Sequence, residues 1–115
     1  MSNSQIFKTA IPLQLLKDFL LSICDGLNED DCTKNTFIVS NAIFKKALFL
    51  NVLPDFIEKI KPYYYTSKHY FLERKLTYNT FMTIIRQLCN VNNIKFTTKM
   101  VYDKSKYEIH YTIFL

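Results

Sequence analysis

The sequence predicts an α+β protein with four to five helices, one short strand among them and a β-hairpin at the C-terminal end. Apolar residues recur at spacings of three and four over residues 12–24, 41–51 and 77–93, as in amphipathic helices. They alternate one by one over residues 94–102 and 107–115, as in strands with one buried face. With 115 residues, 49% of them hydrophobic, the chain is long enough for one domain with a buried core, and we assign residues 1–115 to it.

The first helix is predicted over residues 12–24. Pro12 fits its first turn, where the missing N–H of proline costs nothing. Residues 1–10 are polar apart from Ile6 and Phe7, and we expect them to form a flexible arm or a short edge strand.

A strand and two helices are predicted in the middle of the chain. Residues 36–39, TFIV, are β-branched and aromatic, which favours a strand. Ser40 is expected to cap a helix over residues 41–51. Pro54 fits the first turn of the next helix, which Pro62 ends.

The second half is predicted to contain a short helix, a long helix and the hairpin. Residues 68–75 are assigned to the short helix, and Thr77 is the expected N-cap of the long helix over 77–93. The hairpin covers residues 94–115 with its turn at 103–106. The apolar positions of both strands are expected to be buried on one face: Ile94, Phe96, Met100, Tyr102, Tyr107, Ile109, Tyr111, Ile113 and Leu115.

One face of the long helix carries side chains that hydrogen-bond to base edges. Arg suits guanine, and Asn or Gln suits adenine. The candidate base-reading residues are Thr80, Thr83, Arg86, Gln87 and Asn90.

Basic residues are concentrated in the second half of the chain. Up to Ile57 there are five Lys against six acidic residues, whereas from Glu58 onward there are ten Lys or Arg against four. This asymmetry favours a face that binds phosphates, although ordinary surface lysines would look the same. The candidate phosphate contacts are Arg74, Lys75, Lys95, Lys99, Lys104 and Lys106.

The order of the elements fits a winged helix-turn-helix domain. In such a domain a recognition helix enters the major groove and a hairpin, the wing, meets the adjacent backbone. We therefore expect a non-catalytic protein that binds duplex DNA, with helix 77–93 as the recognition helix and hairpin 94–115 as the wing.

The segment Asn79–Phe96 resembles the recognition helix of heat-shock transcription factors. Ile84-Ile85-Arg86-Gln87-Leu88 matches the Phe-Val-Arg-Gln-Leu string of that family. The segment LTYNTFMTIIR is similar to the recognition helix of ETS-type winged helices. In that alignment Arg86 takes the place of the second base-reading Arg, and Thr83 stands at the first. Both resemblances imply a winged helix that binds DNA.

The second half of the chain also resembles short proteins of A/T-rich nucleocytoplasmic large DNA viruses, the giant viruses. The segments that carry this resemblance are SKHYFLERKLTYNTFMTIIRQLCNVNNI and SKYEIHYTIF. A composition rich in Phe, Tyr, Asn and Lys and poor in Gly agrees with an A/T-rich genome. The resemblance implies a viral protein, acting in transcription or genome packaging, and brings no established activity.

Two other functions remain open. A structural or adaptor module of a virion or viral complex would use the same fold to bind a protein partner or a second copy of the chain. The apolar residues Phe49, Leu50, Val52 and Phe114 favour it. The aromatic and basic run Tyr63–Phe71 could instead bind single-stranded nucleic acid, or its tyrosines could line the edge of the core.

An enzyme, a cofactor and a metal are not expected. One Gly is too few for a Gly-rich phosphate loop, and the three cysteines have no paired spacing. His69 and His110 are far apart and lack a ligand partner at helical spacing. Cys24 and Cys89 lie on apolar stripes and are expected in the core.

No membrane span is expected, because no run of 18 apolar residues occurs. We expect a soluble, intracellular protein. A viral protein of this kind would be found in the host cytoplasm (the viral factory), in the virion or in the nucleus.

Overall fold

The computed structural model describes residues 6–24, 36–65 and 76–115, with the backbone alone at residue 103. The predicted α+β class is confirmed: these residues form four α-helices and a three-stranded antiparallel sheet. The helix expected over 68–75 lies outside the described residues. The elements are α1 (Leu13–Ile23), β1 (Thr36–Ser40), α2 (Asn41–Ala47), α3 (Val52–Ile60), a 3-10 turn (Lys61–Tyr63), α4 (Tyr78–Val91), β2 (Lys95–Asp103) and β3 (Lys106–Phe114).

The segment before α1 packs against the core. Ile6 and Phe7 are buried, and Phe7 forms an antiparallel bridge with Tyr64. The carbonyl of Ile6 accepts a hydrogen bond from the Tyr65 N–H at 2.9 Å. Within residues 6–10, Phe7 thus forms an isolated β-bridge, and residues 8–10 are exposed and lie outside any strand; residues 1–5 lie outside the described part.

Helices α1 and α3 pack together through stacked aromatic rings. The ring centroids of Phe19 and Phe56 are 4.1 Å apart, with the planes 13° from parallel. On the same side of α1, Leu16 and Leu20 are fully buried. Burial of each such side chain contributes about 1.5–3 kcal/mol, so this pair of helices forms one end of the core.

Helix α2 begins where predicted but ends earlier than expected. The Ser40 hydroxyl accepts a hydrogen bond from the Ile43 N–H at 3.3 Å, which confirms the predicted cap. The helix ends at Ala47 instead of continuing to residue 51. After Ala47 the backbone bonds join residues three apart, as from the Leu50 N–H to the Ala47 carbonyl, and Pro54, which has no N–H, further disfavours one continuous helix. The chain turns, and α3 starts at Val52 with Pro54 in its first turn.

Strand β3 is the centre of the sheet, with β1 on one side and β2 on the other. Strand β1 covers β3 only from His110 to Phe114, whereas β2 pairs with β3 along its full length. Residues 100–109 therefore extend beyond β1 as a two-stranded ribbon, which we call the hairpin ribbon.

The inner face of the sheet packs against α2 and α4. Tyr111 on β3 contacts Phe44 of α2, with ring centroids 5.6 Å apart. Phe44 in turn lies 5.9 Å from Phe81 of α4. Nothing among the described elements covers the hairpin ribbon in the same way. The expectation that Met100, Tyr102 and Tyr107 are buried is therefore wrong: they are 64%, 62% and 72% exposed.

The predicted turn at 103–106 is confirmed as a tight two-residue connection. Asp103 pairs with Lys106, and both Lys104 and Ser105 have positive φ angles, 48° and 65°. Two successive left-handed residues define a type I′ turn, whose twist matches that of the flanking strands. The turn places Lys104 at the far end of the ribbon.

Candidate nucleic-acid interface

Helix α4 presents a narrow polar stripe to solvent. Its apolar side chains recur every three or four residues and are buried, which leaves the opposite side exposed. The Thr77 hydroxyl accepts a hydrogen bond from the Thr80 N–H at 3.2 Å and so caps the helix as predicted. The exposed stripe consists of Asn79, Thr83, Arg86 and Asn90.

The C-terminal end of α4 is fixed by the backbone. Asn93 has φ 55°, and the Ile94 N–H donates to the Cys89 carbonyl at 2.8 Å. A left-handed residue with this hydrogen bond is a Schellman motif, which ends the helix and turns the chain into β2. The connection holds the start of the hairpin close to the exposed stripe.

One flank of the stripe is occupied by the N-terminal segment. The side-chain oxygen of Gln87 accepts a hydrogen bond from the Ile6 N–H at 2.8 Å. The Asn92 side chain bonds to both the N–H and the carbonyl of Ile11, at 2.9 and 3.0 Å. Gln87 and Thr80 are half-buried on this flank, so the structure does not place them with the exposed candidates.

The other flank of the stripe adjoins the inner face of the sheet. The Arg86 guanidinium lies 5.9 Å from the ring centroids of both Phe96 and Tyr111, a cation–π distance. Its N–H groups remain exposed to solvent. The Thr83 hydroxyl donates to the Asn79 carbonyl at 2.9 Å, so toward a ligand it can serve only as an acceptor.

The strand register separates the hairpin lysines from the stripe. Phe96 pairs with the buried Ile113 and therefore lies on the inner face. Lys95 and Lys99, which are one and three residues away, lie on the outer face. The Lys95 ammonium sits 5.4 Å from the ring of Phe114, on that same outer face. These two lysines point away from α4, contrary to the expectation of one shared surface.

Sequence reasoning missed three residues on the inner face of the ribbon. Met100, Tyr102 and Tyr107 continue the face that begins at Phe96 beneath Arg86, and they are exposed. The rings of Tyr102 and Tyr107 are 4.8 Å apart and tilted at 53°. Such rings can stack on bases or contact an apolar protein surface. The alternation of apolar and polar residues in the sequence showed that these three side chains share one face of the hairpin. It could not show where along the hairpin the buried core ends.

Other candidates lie wholly or partly outside the described residues. Arg74 and Lys75 are among them, as is the run 66–71 of the aromatic and basic segment. Within the described part of that segment, Tyr64 is fully buried, Tyr63 is half-buried and Tyr65 is exposed. This placement favours a core position for Tyr63 and Tyr64, but not for Tyr65.

The cysteines and the other possible metal-binding side chains of the described residues do not form a reactive or metal-binding cluster. No group of three or more His, Cys, Asp or Glu side chains there could hold a metal ion. Cys24 and Cys89 are buried, as predicted, and burial raises the pKa of Cys89 to about 12. A thiol with that pKa is not a nucleophile at neutral pH. No described helix has both the length and the apolar character needed to cross a membrane.

Comparison of the chain with protein-family models, with curated proteins and with solved structures found no match.

Proposed function

We propose that this is a non-catalytic protein that binds duplex DNA as a winged helix, with α4 as recognition helix and the hairpin as wing. The observation that carries the proposal is the continuity of one surface. The exposed stripe of α4 meets the inner face of the sheet at Arg86, whose guanidinium lies over Phe96, and this face continues along β2 into the hairpin ribbon. A helix beside a protruding two-stranded ribbon is the arrangement that reads a groove and contacts its border.

The charges on this surface support a polyanionic ligand. Among the described side chains, Arg86 on this surface and Lys104 at the turn have no carboxylate partner, whereas Lys106 lies on the outer face with Lys95 and Lys99. The two ion pairs found there are Lys59–Asp55 and His110–Glu108. Binding of phosphates to Arg86 or Lys104 would break neither of these two ion pairs, and it would release counterions.

The contacts divide into two kinds. Arg86 and Asn90 carry the donors and acceptors that discriminate bases, whereas Lys104 at the tip of the turn would contact a phosphate. The resemblance to giant-virus proteins suggests viral transcription or genome packaging as the process. Gln87 is a weaker candidate, because its side-chain oxygen already binds the Ile6 N–H.

A structural or adaptor role is the second candidate, and exposed apolar side chains favour it. Phe49 is 79% exposed, and Met100, Tyr102 and Tyr107 form a further apolar group on the ribbon. Apolar groups of this kind often mark protein–protein interfaces. In this case the same ribbon would bind a protein partner or a second copy of the chain.

Fluorescence anisotropy with labelled duplex oligonucleotides of varied sequence tests the first proposal. Arg86→Lys keeps the charge but loses the planar fork that binds guanine. We expect this substitution to weaken binding to the preferred duplex by about 1–3 kcal/mol, or about 5- to 150-fold, while the affinity for non-preferred duplexes changes little. Lys59→Ala is the control, because it removes one positive charge from α3, where that charge already contacts Asp55.

Three results would decide against the proposal. The first is an absence of duplex binding at low salt. The second is equal affinity of the Arg86→Lys variant and the native chain for every duplex. The third is a single-stranded competitor that displaces the duplex at a much lower concentration than unlabelled duplex does. A concentration-dependent dimer in sedimentation, without DNA binding, would instead support the adaptor role.

A further inference from the structure

Four side chains from α2, α4 and β3 meet at the base of the hairpin ribbon. The hydroxyl oxygens of Tyr78 and Tyr111 are 3.1 Å apart, within hydrogen-bond distance. The Lys45 ammonium lies 5.3 Å from the centroid of the Tyr78 ring. The Arg86 guanidinium lies 5.9 Å from that of the Tyr111 ring. Two cations thus flank a pair of hydrogen-bonded phenols, which we call the tyrosine pair.

The positive charge of this cluster is not neutralised by the described side chains. Lys45 and Arg86 are both exposed, and neither has an ion-pair partner in the part of the chain that the structure describes. Two neighbouring cations without a carboxylate repel one another, and a bound anion would relieve that repulsion. The cluster therefore has the charge of an anion site.

Hydrogen-bonding capacity points the same way. The tyrosine pair holds two hydroxyl protons, of which its internal bond uses one. The other has no acceptor among the described residues and can be donated to a ligand. A tyrosine phenol is protonated at neutral pH, and burial raises the pKa of Tyr78 further from that range. Lys and Arg offer hydrogen-bond donors only. The donors of the cluster therefore suit an oxyanion with several acceptor oxygens.

The cluster lies where the inner face of the hairpin leaves the core. Tyr111 is buried, whereas Ile109 is half-buried and Tyr107 exposed. Asn41, one turn before Lys45 on α2, accepts a hydrogen bond from the Ile109 N–H at 3.3 Å. Helix α2 therefore borders the ribbon on the side opposite to β2, and it carries Lys45 to the Tyr78 ring.

From this geometry we infer that Lys45 and the tyrosine pair bind a phosphate group, and that the positive charge of the base-reading Arg86 beside them adds to the attraction. The ligand is a backbone phosphate of the nucleic acid, and that source rests on the function proposed above. Lys45 would then be a third contacting element, on α2, in addition to the helix stripe and the wing.

The matched variants Lys45→Gln and Lys46→Gln test this inference. Both remove one exposed charge from the same end of α2, but only Lys45 approaches Tyr78. We would measure duplex affinity by anisotropy from 50 to 200 mM salt. Loss of one phosphate contact should make the slope of log affinity against log salt shallower by about 0.9 and weaken binding about 5- to 10-fold at 0.1 M salt. Lys46→Gln should change affinity less than about 2-fold, and Lys45→Arg should retain the native slope.

Tyr78→Phe separates the hydroxyl from the ring. The ring still lies beside Lys45, but one donor is lost, so affinity should fall without a change in the salt slope. Thermal melting of each variant shows whether the fold is intact. Equal effects of Lys45→Gln and Lys46→Gln in a chain that binds duplex would overturn the inference and leave the proposed function standing.

Inorganic phosphate provides a probe that does not depend on DNA. In side-chain NMR spectra, phosphate should shift the signals of Tyr78 and Lys45 at concentrations where chloride of equal ionic strength does not. Lys45→Gln should abolish the shift. This result in a chain that does not bind duplex would support the phosphate site and overturn the proposed function. No shift together with no duplex binding would overturn both.

Discussion

Asn92 is one of two side chains that hold the N-terminal segment against the end of α4, the other being Gln87. Asn92→Ala removes both hydrogen bonds to Ile11, at 2.9 and 3.0 Å. It also leaves a partly buried backbone N–H and carbonyl without partners. Each hydrogen bond contributes about 0.5–1.5 kcal/mol, and an unsatisfied buried group costs about 1–3 kcal/mol. We therefore expect the free energy of unfolding to fall by about 2–3 kcal/mol.

Urea unfolding followed by far-UV circular dichroism measures this loss, since the chain has no Trp to report by fluorescence. With a slope typical of small proteins, the midpoint should fall by about 1–2 M urea at unchanged slope. Asn90→Ala is the matched control, because Asn90 is exposed on the same helix, and it should stay within about 0.5 kcal/mol of the native chain. If Asn92→Ala behaved like this control, the N-terminal segment would not be held as we describe.

Three further predictions concern the turn, the end of α4 and pH. Ser105→Gly should stabilise the hairpin by about 0.5–1 kcal/mol in thermal melts, because Ser105 has φ 65°, whereas Ser105→Val should destabilise it. Asn93→Val should cost about 1–2 kcal/mol, since a β-branched residue is disfavoured at φ 55°, and Asn93→Gly should be neutral or slightly stabilising. Burial raises the pKa of Cys89 from 9.0 to about 12, so only the unfolded chain ionises readily above pH 9. Stability should therefore fall from about pH 9 toward pH 12, less steeply in Cys89→Ala; equal slopes in denaturant titrations would contradict this.

Local signals in the sequence predicted the helix starts and the buried side of α4. Ser40 and Thr77 bond to backbone N–H groups three residues later, so each cap is encoded within four residues. The spacing of Phe81, Ile84, Ile85 and Leu88 fixes a helix face regardless of what packs against it. The structure confirms both, because neither depends on distant parts of the chain.

Contacts between distant residues could not be predicted in this way. The bonds from Gln87 to Ile6 and from Asn92 to Ile11 each span 81 residues. A Gln on the polar side of an amphipathic helix looks like a surface residue until the segment that covers it is known. The role of Asn92 could not be predicted for the same reason. The position of Lys45 could not be predicted either, because its partner Tyr78 lies on another helix.

Alternation in the hairpin showed which side chains share a face but not where the core ends. Strand β1 stops opposite His110, so the inner face is buried at Tyr111 and exposed at Tyr107. The same limit applies to Lys95 and Lys99. Their positive charge was evident from the sequence, but their orientation follows from the register of Phe96 with Ile113.

Duplex affinity of the native chain as a function of salt tests the central claim most directly. If Lys45 and Lys104 each contact a phosphate, log affinity should fall linearly with log salt at a slope of about −2. The same series with Arg86→Ala should give weaker binding to the preferred duplex. Undetectable binding at 50 mM salt, or an affinity that does not depend on salt, would contradict the assignment of α4 and the hairpin as a DNA-binding surface.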